Sequence, residues 1–138
     1  IGADLIIESL KGLEHNTIIP FKQDDKSATY APKIKIQDCR IDWNNSAENI
    51  HNQIRAFSPV PGAFTLYKNK RVKLFNSQVE KIEIDLQSGY INYKKPILQI
   101  GTGSHLLNIN EIQLEGKKRL PVDKFIMGSP EIIGGYFD

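Results

Sequence analysis

Lys68, Lys70, Arg71 and Lys73 crowd into six positions of this chain, and Lys117, Lys118 and Arg119 follow as an unbroken trio. Lys33, Lys35 and Arg40 form a looser third group, and Lys94 and Lys95 a fourth. Long cationic side chains on turns can reach phosphate oxygens, a contact that needs charge and reach but no particular order of residues. Taken cluster by cluster, a solvated surface that keeps hairpins soluble is the plainer reading. Tyr67, Phe75, Tyr90, Tyr93 and Phe64 lie among these groups and could add base stacking, although core packing suits Phe64 and Trp43 better.

Other chemistry-bearing residues offer less. His15, His51 and His105 are scattered, with no paired spacing for a metal and no acid or nucleophile nearby. His15 follows a helix in polar surroundings, His51 sits beside Ile50 on a helix where it could face solvent, and His105 begins a strand after a glycine turn. Gly101-Thr102-Gly103 resembles part of a phosphate loop, but strand-like sequence follows where a phosphate-binding helix would begin, so a β-turn is expected. Cys39 shows neither a positioned base nor a cause for a lowered pKa. No catalytic residue and no metal ligand is assigned.

These residues must be placed by their elements. Ile6, Leu10 and Leu13, with Ala3 and Ile7 beside them, predict a helix over 3–13 that stops near Gly12 and Asn16. Residues 15–45 hold no sustained period; Pro20, Pro32 and a polar run at 23–27 predict an extended linker with a short strand at Ile18–Ile19. Ala47, Ile50, Ile54 and Phe57 predict a second helix over 46–57, capped by Asn45 or Ser46. From Ala63 to Leu114 the period becomes two. Strands are expected at 64–67 and 72–75 around a turn at Lys68-Asn69-Lys70, and at 81–86, 90–93, 97–100 and 106–114. Pro96 is expected at a bulge or an edge. A short helix near 122–127 follows Pro121 and stops at Gly128, and 132–137 is left unclassified. Short strands at this spacing led by a helix predict a mainly β fold, an OB-like Greek-key barrel.

With 40% hydrophobic and 25% charged residues the composition is that of an ordinary globular domain. One cysteine excludes an internal disulfide and a cysteine metal cluster, and fits a reducing, cytosolic compartment. No apolar run approaches membrane-spanning length, so no membrane partner is expected. The net charge of +2 is uneven: residues 1–32 carry three lysines against five acids, and 33–138 carry fifteen basic residues against eleven acids. A basic domain behind a mildly acidic lead is compatible with nucleic acid.

Ser27-Ala28-Thr29-Tyr30-Ala31-Pro32-Lys33-Ile34, then Arg40-Ile41-Asp42-Trp43, Ile54-Arg55-Ala56-Phe57 and Pro61-Gly62-Ala63 occur in an order and spacing that resembles the methionyl-tRNA formyltransferases, at the crossing from catalytic to C-terminal domain. The likeness resumes at Gly101-Thr102-Gly103 and Gln113-Leu114-Glu115-Gly116-Lys117-Lys118-Arg119-Leu120. Residues 89–100 depart from the pattern, with extra residues around Tyr93–Pro96, and Thr102 replaces a usual acidic residue. The resemblance implies an OB-like C-terminal domain at 46–138, a linker at 15–45 and, at 1–14, the terminal helix of a Rossmann-like catalytic domain that the chain lacks, Ile1 being read as a cut end. It implies a parent transferase, cytoplasmic, that formylates initiator methionyl-tRNA in translation initiation with 10-formyltetrahydrofolate as donor. The family's catalytic Asn, His and Asp belong to the other domain, so this part is expected to be inactive alone and to need no cofactor. The partners implied are initiator methionyl-tRNA and the catalytic domain. With the resemblance, the basic groups Lys33, Lys35, Arg40, Lys68, Lys70, Arg71, Lys73, Lys117, Lys118 and Arg119 become candidates for tRNA backbone contact. Two alternatives stand beside this: a related formyl-group enzyme, either a 10-formyltetrahydrofolate dehydrogenase or a sugar-nucleotide formyltransferase, and a standalone OB-fold nucleic-acid binder.

Overall fold

Asn45 and Ser46 both qualify to start the second helix, and Ser46 takes the position. Its hydroxyl accepts from the Asn49 amide at 3.2 Å, satisfying one of the donors that a helix start leaves open. The computed structural model describes residues 1–82 and 86–138. The chain divides into two units, Ile1–Lys33 and Ile34–Asp138.

In the first unit, α1 spans Gly2–Glu14. Leu5, Ile6, Ile7 and Leu10 are each more than half exposed on it. The strand expected at Ile18–Ile19 does not form. The amides of Thr17 and Ile18 instead bond the Gly12 carbonyl at 2.8 and 3.3 Å, closing the helix end. Ile18 lies so close over Gly12 that a β-carbon there would collide with it. A 3-10 turn at Asp25–Ser27 follows, where the Asp24 carboxylate accepts from the Lys26 amide and the Ser27 hydroxyl.

The second unit opens with a 3-10 turn at Ile36–Cys39 and α2 at Ala47–Phe57. The strands are β1 Phe64–Tyr67, β2 Lys70–Glu80, β3 Ile91–Lys94, β4 Ile97–Gly101, β5 Leu106–Leu114 and β6 Leu120–Pro121, and α3 spans Val122–Gly128. All pair antiparallel in the order β1-β2-β5-β4-β3, with β6 also on β5. Three hairpin-linked strands, β3, β4 and β5, with β2 beside β5 make the expected Greek key. The two-residue turn between β1 and β2 is Lys68-Asn69, with φ of 49° and 63°, the left-handed pair that matches strand twist. Pro96 does not bulge a strand. With Lys95 it forms the turn between β3 and β4, where no ladder amide is needed. Of the strand expected at 81–86, Lys81, Ile82 and Leu86 carry no strand, and 83–85 lie outside the described residues.

The core lies between α2 and the sheet. Ile50 and Ile54 of α2 meet Val72, Leu74, Ile91, Leu98, Ile100, Leu107, Ile109 and Ile112, all nearly or fully buried. Each such side chain contributes about 1.5–3 kcal/mol by leaving water. The facing of β2 reverses at Asn76. Val72 and Leu74 point to the core before it, and Ser77 and Val79 after it. Asn76 takes φ of 50°, and its carbonyl accepts from the Asn110 side-chain amide at 2.7 Å. The two asparagines thus bend two paired strands at one level.

Residues 132–137, unclassified from sequence, close the barrel. Gly134 and Gly135 bond Ile91 of β3, Phe137 donates to Gly89, and Asp138 exchanges two backbone bonds with Leu66 of β1. Phe137 stacks on Trp43 with centroids 5.6 Å apart. The Trp43 indole N–H donates to the Thr65 hydroxyl at 3.0 Å, which donates in turn to the Asp138 carbonyl at 2.8 Å. Every polar atom in that buried chain has a partner, as burial requires.

Candidate nucleic-acid interface

Alternation along β2 decides what the hairpin lysines and arginines can do. Val72 and Leu74 point inward, so Arg71, Lys73 and Phe75 share the outward face. Register places Gln113 opposite Lys73 and Glu111 opposite Phe75 on β5. Arg71 lies over the Phe64 ring at 4.5 Å. The Lys73 ammonium donates to the Pro61 carbonyl at 2.6 Å. Both stems cover apolar surface and are held in place. With Gln113, Glu115 and Gly116 they line a shallow cleft of about 170 Å3. Lys70 is on the opposite face. It and Lys68 border a small pocket with Tyr67, Phe125 and Glu131, and the Lys68 ammonium lies 5.3 Å from the Tyr67 ring. The hairpin group is therefore two pairs on two faces, which spacing alone conceals.

The trio at 117–119 also divides. Lys117 and Lys118 are exposed on the turn between β5 and β6, where the Lys117 carbonyl accepts from Gln113 at 2.9 Å. Arg119 turns back onto the sheet, pairs with Glu111 and lies 4.1 Å over the Phe75 ring. Lys35 and Arg40 are exposed in the second unit. The Lys35 amide bonds Asp38 at 2.7 Å, and Arg40 borders a cleft of about 450 Å3 with Gln37, Asp42, Asn44 and Asp138. Lys33 is exposed at the end of the first unit. Lys94 ends β3 and Lys95 begins the next turn, both exposed.

His51 does not face solvent. It is half-buried, and its Nδ1 lies 2.8 Å from the Ser77 hydroxyl. His51 and Arg55, four apart on α2, share one helix face beside Asn76, a placement that the i, i+4 spacing could have disclosed. His105 takes φ of 67° at the mouth of β5, with Nδ1 buried and without a hydrogen-bond partner among the described residues. Burial pushes the Cys39 thiol up, and Asp38 adds to this, so the thiolate that nucleophilic chemistry needs is disfavoured. The Gly101–Gly103 segment is a turn with steric reasons for both glycines. A β-carbon at 101 would strike the Gln87 carbonyl, and one at 103 the Asn44 carbonyl. Thr102 is buried there and its hydroxyl donates to the Ser104 carbonyl at 2.6 Å, an internal bond of the turn. Phe64 and Phe75 are buried, and Tyr67 and Tyr93 half-buried against the core, so none of these four presents an open stacking face.

Two carboxylates are tuned: Asp24 of the first unit is held below the usual aspartate range by its bonds from Ser27 and Lys26, and Glu80 lies in the barrel. Glu80 accepts from the Asn108 amide at 2.8 Å and the Gln99 amide at 2.7 Å. The Asn108 bond is the main cause that holds its carboxyl below the usual glutamate range, against the opposing effect of burial. Among the described residues, no group of three or more His, Cys, Asp or Glu could hold a metal ion. No helix among them is long and apolar enough to cross a membrane.

Residues 33–130 match the family described as formyl transferase, C-terminal domain. The chain is 39% identical over 147 aligned residues to a methionyl-tRNA formyltransferase of Carboxydothermus hydrogenoformans, covering 100% of this chain and 45% of that protein. It is 39% identical over 128 residues to the methionyl-tRNA formyltransferase of Solibacter usitatus, covering 93% of this chain and 41% of that protein. The chain thus spans less than half the length of these curated relatives. Among solved structures, a HypX variant from Aquifex aeolicus superposes with a TM-score of 0.68 at 21% identity, over 96% of this chain and 23% of that one. HypX in complex with tetrahydrofolic acid gives 0.66 at 22%, with the same coverage. At such identities the likeness shows a shared fold alone.

Proposed function

Because the chain belongs to the family of formyl transferase C-terminal domains, we propose that it is the tRNA-gripping part of a methionyl-tRNA formyltransferase. The observation that carries this reading is that relatives of that name align along the whole chain at 39% identity. The parent enzyme transfers a formyl group from 10-formyltetrahydrofolate to the amine of initiator methionyl-tRNA, in the cytoplasm, at the start of translation. The chemistry belongs to its catalytic domain. In this chain His51 is bonded to Ser77 and His105 has its Nδ1 buried, and among the described residues neither is hydrogen-bonded to a carboxylate. The residues described above bind and orient. Arg71 and Lys73 on the outward sheet face, with Lys68, Lys70, Lys117, Lys118 and Arg119 at its turns and Lys33, Lys35 and Arg40 ahead of the barrel, contact the phosphate backbone. Holding the acceptor end in place for a second domain lowers the entropic part of the barrier without any bond being made here.

The same reading makes residues 1–14 the terminal helix of the catalytic domain, 15–45 a linker and 46–138 the OB-like domain. The exposed Leu5, Ile6, Ile7, Leu10 and Leu13 of α1 support a packing role against that catalytic domain. Hydrogen exchange checks it: the amides of 1–14 exchange faster than those of β2 and β5 in the isolated chain, and equal protection in a dilute monomer contradicts it.

Binding to unacylated tRNA, followed by fluorescence anisotropy across a salt series, tests the function. A few phosphate contacts give a log–log slope of roughly −3 to −5. Replacing Lys117, Lys118 and Arg119 by Ala, or Lys70, Arg71 and Lys73 by Ala, flattens that slope and weakens all tRNAs about equally. If neither triple variant changes affinity at low salt, these groups are solubilising surface. The chain alone transfers no formyl group to methionyl-tRNA, and measurable transfer overturns the assignment.

A further inference from the structure

The reversal of β2 at Asn76 opens a further cleft of about 550 Å3 between that bend and α2, lined by His51, Arg55, Ser58, Asn76, Ser77 and Arg119 together with Ile54. We propose that this cleft is a phosphate site, which holds one backbone phosphodiester of a bound nucleic acid. The proposal rests on the tRNA-gripping reading and gives it a defined point of attachment.

The donor set matches that ligand. Two guanidiniums, an imidazole, two hydroxyls and a carboxamide border the cleft, and among the described residues no carboxylate lines it. Glu111 is engaged with Nε of Arg119 from the outer sheet face. A guanidinium has five N–H donors, so this pairing leaves the two terminal amino groups to bind an oxyanion. Stacking over Phe75 at 4.1 Å fixes the plane of that fork. The other side is arranged as well. The hydroxyl of Ser77, a residue 6% exposed, meets Nδ1 of His51 at 2.8 Å, which sets the imidazole's orientation. Arg55 is exposed on the next turn of the same helix face, 3.4 Å from the Asn52 side-chain oxygen. A cleft of this size accepts a phosphate with a flanking sugar but is too small for a folded partner. Bidentate guanidinium contacts match the paired oxygens of a phosphate group.

The bend gives the site its reason. A regular β2 would put position 77 on the outer face, away from α2. The left-handed Asn76, stabilised by its bond from Asn110, turns Ser77 toward His51 and leaves the space above it open.

Two arms of one experiment test the inference on the full chain. In the first, inorganic phosphate is titrated at low ionic strength and followed by two-dimensional NMR of backbone and arginine side-chain N–H groups. Saturable shifts at His51, Arg55, Asn76 and Arg119 are expected, with weak, millimolar affinity, and Arg55→Gln reduces that affinity several-fold. Absence of saturable shifts there up to saturating phosphate overturns the site, whatever tRNA does. In the second arm, unacylated tRNA binding is measured across salt for wild type, Arg55→Gln and Arg55→Lys. Loss of one phosphate contact lowers the slope by about 0.9, so Arg55→Gln weakens binding by about five- to tenfold at moderate salt and Arg55→Lys recovers part of it. If Arg55→Gln keeps wild-type affinity and slope while phosphate fills the cleft, the assignment to a nucleic-acid backbone is overturned and the site takes a free phosphate. If wild type fails to bind tRNA at low salt but phosphate fills the cleft, the tRNA-gripping reading fails and the anion site stands. Arg55 is exposed, so its variants keep the fold, checked by an unchanged thermal midpoint.

Discussion

Replacing Phe137 by alanine should open the barrel where its tail closes it. The ring is 4% exposed. It stacks on Trp43 at 5.6 Å with an interplanar angle of 15°, and meets Tyr67 edge-on at 6.3 Å and 84°. Burying such a side chain contributes about 2–3 kcal/mol, and each aromatic pair adds about 0.5–1.5 kcal/mol. Partial collapse of the site recovers some of this, which places the loss at about 3–4 kcal/mol, within the range for a buried Phe→Ala change. The Phe137 amide still reaches the Gly89 carbonyl at 2.9 Å, so the loss is one of packing and not of the backbone bond. For a domain of this size each kcal/mol lowers the melting temperature by about 4–8 °C, and a fall of about 12–30 °C follows. Urea unfolding read by fluorescence is the direct assay, because Trp43 is the single tryptophan and contacts the mutated ring. The midpoint should fall while the m-value holds. Met127→Ala, at a side chain 77% exposed, serves as the control and stays within about 0.5 kcal/mol. A Phe137→Ala loss below about 1 kcal/mol with an unchanged Trp43 spectrum would refute the packing described for the tail.

Three further outcomes follow from particular residues. Asn76→Val places a β-branched residue at φ of 50° and lowers unfolding free energy by about 1–2 kcal/mol or more, whereas Asn76→Gly costs only a few tenths; equal effects in chemical denaturation would dissociate stability from the left-handed bend. Gly103→Ala drives a β-carbon into the Asn44 carbonyl and forces the turn that leads to α2 to move, so the melting temperature falls and the Asn45–Gly103 amide bond loses protection in hydrogen exchange; an unchanged exchange rate contradicts this. Glu80→Gln tests the tuned carboxylate. Its folded pKa lies below the unfolded value, so its contribution is fully present above the ordinary glutamate range and is lost as pH falls through the folded pKa. The stability gap between wild type and Glu80→Gln should therefore shrink on acidification below about pH 4.5, and a gap that widens there shows the wrong sign.

Where local rules and burial agree, the sequence is readable. The Ala47, Ile50 and Ile54 spacing marks the buried face of α2, and alternation from Phe64 to Leu74 marks the first hairpin. Short strands at regular spacing behind a helix point to the Greek-key barrel, and the family resemblance implies the same. Three features escaped because they depend on partners remote in sequence. The tail at 132–137 has no period of its own and takes its form from Leu66 and Ile91. The facing reversal at Asn76 is invisible to alternation, which carries the count through it. The basic groups were grouped by position in the chain, yet Lys70 and Arg71 are neighbours that point to opposite faces, while Arg55 and Arg119 are distant and border one cleft. Ile18–Ile19 failed for a simpler reason: two β-branched residues favour a strand, but capping the Gly12 carbonyl engaged the Ile18 amide first.

The closing seam sets an order of events during synthesis. Thr65 and Asp138, joined by a hydrogen bond, are 73 residues apart, and the tail bonds both β1 and β3. A chain that emerges from the ribosome N-terminus first can zip the β1–β2 hairpin and then the β3–β4–β5 meander from local contacts. The margins of the sheet stay unpaired until residues 134–138 arrive. Length alone adds little to this wait, since each doubling of a loop costs only about 0.6 kcal/mol. The hazard lies in time: during that interval two strand edges and the Trp43 side chain are open to other nascent chains. The arrival of residues 134–138 decides how long the sheet remains adhesive.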